Sequence, residues 1–302
     1  MIPQFPQFKK LEITDKREIE NHNKLFPPYS DFNFASLWSY DTDQKIEISW
    51  LLGNLVIRFQ DYITDELFYS FLGNSSIIET SNILLQHAAE NGLTPILKLI
   101  PEHSLKNIRS LQNHFIITED RANFDYIHSI EELVNLKGKK FHYKRRHLKN
   151  FHKYNQDIRI EKLNFNENLI KSHILTVFLD WEKAKNKKRE ETKRELEAIE
   201  RLIDKGHEFA LITIGIYQQD RLVGFAIGET VHDNYSVFHF LKANPLYKGV
   251  FTALYNLLAS ELHTKGIQYI NCEQDLGIET LMQAKQEWRP TGFLKKYIIA
   301  KK

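Results

Sequence analysis

From Phe209 to Tyr217 the chain reads FALITIGIY, a near-continuous apolar run of strand length that is rich in β-branched residues. Such a run suits a strand covered on both faces, so it calls for a sheet with packed layers above and below it. A tight turn at Gln218 to Arg221 leads into LVGFAIGE, and YSVFHFL follows as a third strand. KGVFTALYNLLASELHTKG then carries Phe251, Leu254, Tyr255, Leu258 and Leu262 at helical spacing and stops at Gly266, a residue free to turn left-handed. QYINC is a short strand, with EQDLGIETLMQAKQEWRP and FLKKYIIA behind it.

Three strands, a helix and a further strand form the order of an N-acyltransferase (GNAT-like) core. The first half repeats that order in weaker form. KIEISWL and LVIRF flank a Gly53-Asn54 turn, and LFYSFL is a third strand. Ile78 to Asn91 is expected to be helical with Gly92 as its stop, and PILKLI is a strand. A short helix at Ser104 to Leu111 and strands near Phe115 and Phe124 complete the series. The expectation is an α/β (α+β) protein of two tandem GNAT-like domains, with mixed central sheets flanked by helices. Residues 1–128 would form the first domain, 129–157 a basic connecting helical segment and 158–302 the second domain. One mixed α/β domain with an elaborated amino-terminal part is the alternative.

Composition narrows the function. At 302 residues and 42% hydrophobic, the chain can bury one large core or two ordinary ones. A net charge of only +2 means that any nucleic-acid or anionic-surface role has to come from local charge. The single cysteine, Cys272, excludes an internal disulfide and is compatible with a reducing compartment. MIPQFPQFKK lacks the apolar core of a signal peptide, and no apolar run is long enough to span a bilayer. The expected location is the cytoplasm, with peripheral contact with an anionic membrane still open.

That local charge lies in mid-chain. Ser129-Ile-Glu-Glu132 is a capping box opening a short helix that Gly138 would end. From Lys137 to Lys153 there follow eight Lys or Arg residues, three His and no acid. A helix here would dock through Phe141, Leu148 and Phe151 and show Lys139, Lys140, Arg145, Arg146 and Lys149 largely outward, with Lys144 in the same basic run. Exposed helices ordinarily mix signs to form pairs at i and i+4, so the missing acids favour an anionic partner, phosphate above all, over a solvated charged face. By contrast, Lys183 to Arg201 interleaves acids with its bases and reads as an ordinary salt-bridged helix, after a packing helix from Asn166 to Lys183.

GKKFHYKRRHLKNF, paired with NCEQDLGIETLMQAK and a closing P-T-G-F-L-K-K-Y, resembles the family that includes the carboxy-terminal catalytic domain of phosphatidylglycerol lysyltransferases and its free-standing relatives. The resemblance covers most of the chain. It implies two tandem acyltransferase folds and transfer of an aminoacyl group from aminoacyl-tRNA to an acceptor hydroxyl or amine. The chain carries no multi-span membrane portion like that of the lipid-modifying enzymes, so a lipid acceptor is not taken over from them.

An aminoacyl ester is already activated, so a catalyst need only orient it, help remove the acceptor's proton and stabilise the oxyanion. Glu273 and Asp275 lie just past the carboxyl end of QYINC, where α/β folds tend to present ligand-facing groups, and either is a candidate general base. Asp275 is equally placed to cap a helix starting near Leu276. Lys285 is a candidate for an oxyanion or phosphate. An acyl-CoA-dependent member of this fold would hold the pyrophosphate on a glycine-rich loop at the start of the main helix. Here that stretch is N-P-L-Y-K-G-V-F with Gly249 alone, which makes acetyl-CoA or another acyl-CoA the alternative donor. Lys248 and Gly249 could still hold a phosphate, and Tyr247 could donate a proton or pack.

His142, His147 and His152 recur every five residues, roughly 140° apart on a helix, so no shared metal is expected. Cys272 has no evident base beside it and reads as inert packing, and His239 as a hydrogen-bonded core residue. The four tryptophans are spread out and suggest no base-stacking platform. A catalytically silent module that binds RNA or an anionic membrane is the third reading.

Overall fold

The computed structural model describes residues 1–106, 108–167, 169–232 and 234–302. Asn107, inside the expected short helix, and Asn168, inside the expected packing helix, lie outside the described residues.

The first stretch of chain runs β1 (Lys9–Lys10), α1 (Lys16–Asn23), α2 (Phe34–Tyr40), β2 (Glu47–Leu51), β3 (Asn54–Gln60) and β4 (Leu67–Leu72). It continues through α3 (Ile77–Glu90), β5 (Ile96–Pro101), α4 (Ile108–Leu111) and β6 (Phe115–Glu119). Next come β7 (Asp125–Ser129), α5 (Ile130–Asn135), α6 (His142–Tyr154), β8 (Ile158–Glu161), α7 (Ile170–Ala184) and α8 (Arg189–Asp204). The remainder is β9 (Leu211–Gln218), β10 (Arg221–Thr230), β11 (Tyr235–Ala243), α9 (Val250–Thr264), β12 (Tyr269–Asn271), α10 (Glu279–Gln286), β13 (Gly292–Leu294) and β14 (Lys296–Lys301).

Two mixed sheets organise these elements. One has the order β1-β2-β3-β4-β5-β14-β6, the other β13-β7-β12-β11-β10-β9-β8. The chain divides into two compact units: Met1–Tyr126 with Glu273–Gln283 and Phe293–Lys302, and Ile127–Cys272 with Ala284–Gly292. The units therefore differ from the contiguous spans expected from the sequence. Two segments beyond residue 272 belong to the first unit, and 129–157 is part of the second instead of a connector. The cause lies in β14, which pairs antiparallel with both β5 and β6. As an inner strand it places Tyr297 and Ile299 in a core with Val56, Phe71, Leu84, Leu97, Ile100 and Phe115.

In the first unit the β2–β3 turn sits one residue earlier than expected. Leu52 and Gly53 take the two positive-φ positions, at 50° and 82°, and Leu51 pairs with Asn54. Asn54 is a buried strand residue whose amide donates to the carbonyls of Leu51 and Ser75 and to the Thr80 hydroxyl.

In the second unit β9, β10 and β11 are antiparallel neighbours and β12 adds parallel to β11. β10 is buried from Leu222 to Glu229, as an inner strand with α7 and α9 against it must be. The parallel pair is short: it registers only Tyr235↔Tyr269 to Val237↔Asn271, after which β11 runs on to Ala243 paired with β10. Past this fork Phe238 meets the Tyr255 ring edge-on at 4.9 Å, and Tyr255 stacks on Trp288 at 4.2 Å. His239, expected as a core histidine, lies against Glu229 at 3.4 Å.

Candidate functional site

The basic segment forms a helix as its spacing requires. Ser129 caps α5 by accepting from the Glu132 amide, and α5 ends at Leu136, which is left-handed, before the chain turns into α6. Phe141 and Phe151 are buried, and α6 packs on α9 within the second unit. At about 100° per residue, His142, Arg146, Lys149 and Lys153 fall within a sector of roughly 60° on the side away from that buried stripe.

The basic residues divide by role. Lys144 is buried: its ammonium pairs with Glu287 at 2.8 Å and lies 4.5 Å above the Trp288 ring. Lys140 pairs with Glu132 at 2.5 Å. The Arg145 guanidinium donates to the carbonyls of Leu136 and Gly138, neutralising the carboxyl end of α5, as cations at helix ends do. A remote acid, Glu287, a nearby one, Glu132, and carbonyls at the start of the run thus compensate part of a segment that has no acid of its own. Lys139, Arg146 and Lys149 are exposed and make no ion pair among the described residues.

The start of α9 has been given over to α6. Gly249, at φ 82°, is the N-cap, and a Cβ there would lie 2.2 Å from the His147 carbonyl oxygen and 3.0 Å from Cβ of Phe151. Asn155 fastens the approach by donating to the carbonyls of Phe151 and Lys248. Lys248 points its ammonium at the Tyr154 ring, 4.6 Å from the centroid, and Tyr247 accepts from the Val250 amide through its own carbonyl. Gly249→Ala combines a left-handed backbone with this contact and is expected to lower stability by at least about 2 kcal/mol. Thermal unfolding checks it, and an unchanged midpoint would show that α6 is not seated there.

At the carboxyl end of β12, Lys285 donates to the carbonyl of Cys272. Cys272 is not without a base. The antiparallel β7–β12 pairing brings His128 alongside, with Nδ1 3.3 Å from Sγ, and the Tyr255 hydroxyl lies 2.7 Å from Sγ and 3.2 Å from Nδ1. Burial drives the imidazole down to about 4, leaving it neutral, while burial and Cys272 push the Tyr255 phenol well above its usual range. His128, Cys272 and Tyr255 are all buried and contact one another through Nδ1, Sγ and the phenol oxygen, while Nε2 of His128 has no hydrogen-bond partner among the described residues. No local signal in the sequence links His128 to a cysteine 144 positions later.

Glu273 and Asp275 belong to the first unit, whereas Lys285 and Tyr247 belong to the second. Glu273 is half-buried and left-handed at φ 58°, and Ser36 donates to its Oε1 at 3.3 Å. A non-glycine residue held in that region is strained, which recurs at functional positions. Asp275 is buried: Oδ2 accepts from the Tyr126 hydroxyl at 2.6 Å and from Arg121 at 3.1 Å, and Oδ1 accepts from the Gly277 amide. It ties a turn ahead of α10, which begins only at Glu279.

The same unit holds an ionic centre that the sequence did not signal. The Lys296 ammonium is fully buried between Asp125, at 2.7 Å, and Asp31. Ser30 donates through its amide and its hydroxyl to Asp125, and the Gln274 amide donates to Asp31 at 3.2 Å. Burial and the like charge of Asp125 outweigh the pull of Lys296 and raise the Asp31 carboxyl to about 6. A carboxyl raised on folding stabilises the fold below its unfolded pKa, and that contribution is lost as pH rises through the folded value. Asp31→Asn should therefore gain on the parent by about 2 kcal/mol between pH 4 and pH 8, in urea titrations across that range. A gap that does not change with pH would contradict this.

Comparison with known proteins identifies the fold. A conserved protein of unknown function from Bacteroides thetaiotaomicron is 25% identical over the whole of both chains, with a TM-score of 0.85. The C-terminal domain of a candidate lysylphosphatidylglycerol synthetase from Agrobacterium fabrum aligns at 9% identity and a TM-score of 0.63, covering 95% of this chain and 92% of its own. L-PGS from Bacillus licheniformis aligns at 12% identity and 0.62, covering 100% and 94%. At such identities the last two speak for the fold alone. No curated protein matches the chain. The family model described as phosphatidylglycerol lysyltransferase, C-terminal, matches residues 31–300, nearly the whole length, and the chain belongs to that family.

Proposed function

We propose that the protein is an aminoacyltransferase that takes its acyl group from aminoacyl-tRNA and passes it to an acceptor hydroxyl or amine. The observation that carries this reading is the outward face of α6 and the turn leading into it, where Arg146 and Lys149 on the helix and Lys139 before it are exposed and unpaired among the described residues. Cations held out on a rigid helix with no neutralising acid suit a ligand that brings many phosphates. The start of α9 supports the same choice of donor. The His147 carbonyl occupies the approach to Gly249, and a carbonyl oxygen is a poor neighbour for the pyrophosphate of an acyl-CoA. Family membership supports acyl transfer as the reaction class.

In this reading the acceptor attacks the ester carbonyl, its proton passes to a carboxylate, and as the ester C–O bond breaks that proton is returned to the departing tRNA oxygen, which leaves as a hydroxyl. Glu273 is the proposed base, because it is half-exposed in a strained backbone while Asp275 is buried. Lys285 is proposed to hold the end of β12 through the Cys272 carbonyl. No described helix is long and apolar enough to cross a membrane.

Bulk tRNA charged with labelled amino acids, incubated with the protein and a fractionated lysate, is expected to label one fraction. Glu273→Gln should reduce the rate about 10²–10⁴-fold and leave tRNA affinity unchanged. Label delivered from acetyl-CoA, or none from any charged tRNA, would overturn the reading.

A further inference from the structure

Beside the cationic stripe, α6 carries a second outward stripe that charge alone does not explain. Tyr143 and Tyr154 lie eleven residues apart, three turns along the helix and roughly 20° from register. Their exposures are 70% and 52%. The two rings are used differently. Tyr154 is flanked by the ammonium groups of Lys153, at 5.1 Å, and Lys248, at 4.6 Å from its centroid. Among the described residues the Tyr143 ring meets that of His142, at 75° between planes, and is otherwise largely exposed.

An exposed aromatic ring next to a row of cations matches the two surfaces of an unpaired nucleotide strand: bases that stack and phosphates that pair. A helix that lies on a lipid surface instead turns its apolar side to the membrane. In α6 the apolar residues Phe141 and Phe151 are buried in the second unit, and its outward residues include no aliphatic side chain.

We infer that α6 is a binding surface for single-stranded RNA, with Tyr143 stacking on a base and Arg146, Lys149, Lys153 and Lys248 taking successive phosphates. The inference rests on the reading of the donor as an aminoacyl RNA and assigns its unpaired part to this face. It does not require transfer to occur.

The test uses the full-length protein and three probes: a short unpaired ribo-oligonucleotide, a blunt RNA duplex of the same composition, and vesicles containing anionic lipid. Tyr143→Ala is expected to weaken the single strand about 5- to 150-fold, with an unchanged salt dependence and duplex binding within twofold of the parent. Tyr143→Phe should restore it. Loss of equal size on strand and duplex, or no loss on either, would overturn the inference. So would vesicle binding that falls with Leu246→Ala, at the 82% exposed leucine before α9, in the absence of RNA binding. Because the oligonucleotide carries no amino acid, the outcomes separate. Tyr143-dependent binding without aminoacyl transfer sinks the proposed function alone, and transfer with Tyr143-independent binding sinks this inference alone.

Discussion

Replacing Lys296 with methionine is expected to lower the stability of the protein by about 3–5 kcal/mol at pH 7.5, the largest effect of any single substitution considered. Methionine keeps the length and apolar stem of lysine but removes the charge that Asp125 and Asp31 share in the interior. What is left is two buried carboxylates facing each other, and the cost is chiefly theirs. The loss should shrink at pH 5, where Asp31, raised to about 6, is protonated and one of the two charges is gone. Urea unfolding at both pH values measures it. A loss below 1 kcal/mol at pH 7.5 would mean that the triad contributes little and that β14 is held by its ladder and by Tyr297 and Ile299 alone.

The second large effect concerns binding and leaves the fold alone. Arg146→Glu combined with Lys149→Glu is expected to reduce affinity for aminoacyl-tRNA on the order of 10²-fold near physiological salt. Both side chains are exposed and unpaired among the described residues, so the unfolding midpoint should barely move. Arg145→Ala and Lys144→Met should behave in the opposite way, because those cations are spent on α5 carbonyls and on Glu287. Their stability should fall first. Equal losses of RNA affinity from all four positions, with no change in stability, would show that the basic run acts as a diffuse charge and not as a helix with an inside and an outside.

That division between inner and outer cations marks how far the sequence could be read. Local pattern gave β9, β10, β11 and α9 nearly as they stand, because each is a long, predominantly apolar run bounded by clear turn or stop residues. The stripe of Phe141, Leu148 and Phe151 likewise predicted which side of α6 docks. What local pattern cannot carry is the partner that arrives from far along the chain. Glu287 lies 143 positions beyond Lys144, and until β12 and β7 pair, nothing near Cys272 announces His128. FLKKYIIA was legible as a strand, yet nothing in it names the sheet it joins. Its place between β5 and β6 makes Lys296 an inner residue and Lys295 an outer one, paired with Glu119. The Leu52–Gly53 turn was missed by a single residue for a similar reason. Gly53-Asn54 looked like the reversal, but the buried bonds of Asn54 to Leu51, Ser75 and Thr80 fix it as the first residue of β3.

The candidate catalytic residues fared differently from the basic helix. Glu273, Asp275 and Lys285 are close in sequence, and the reading from sequence treated them as one constellation. Asp275 is engaged by Tyr126 and Arg121, Lys285 by the Cys272 carbonyl and Glu273 by Ser36, so each of the three holds a partner that the sequence did not show. A reading based on proximity in the chain could not separate these holding roles from a chemical one, since it had no view of Arg121 or Tyr126.

The measurement that bears most directly on the account is the affinity for aminoacyl-tRNA as a function of salt concentration, for the parent and for Arg146→Ala with Lys149→Ala. If the outward face of α6 neutralises donor phosphates, the parent's logarithmic plot should be steep and the double substitution should lower its slope by roughly 1.4–1.8, two phosphate contacts' worth. Parallel plots of equal affinity would contradict the account.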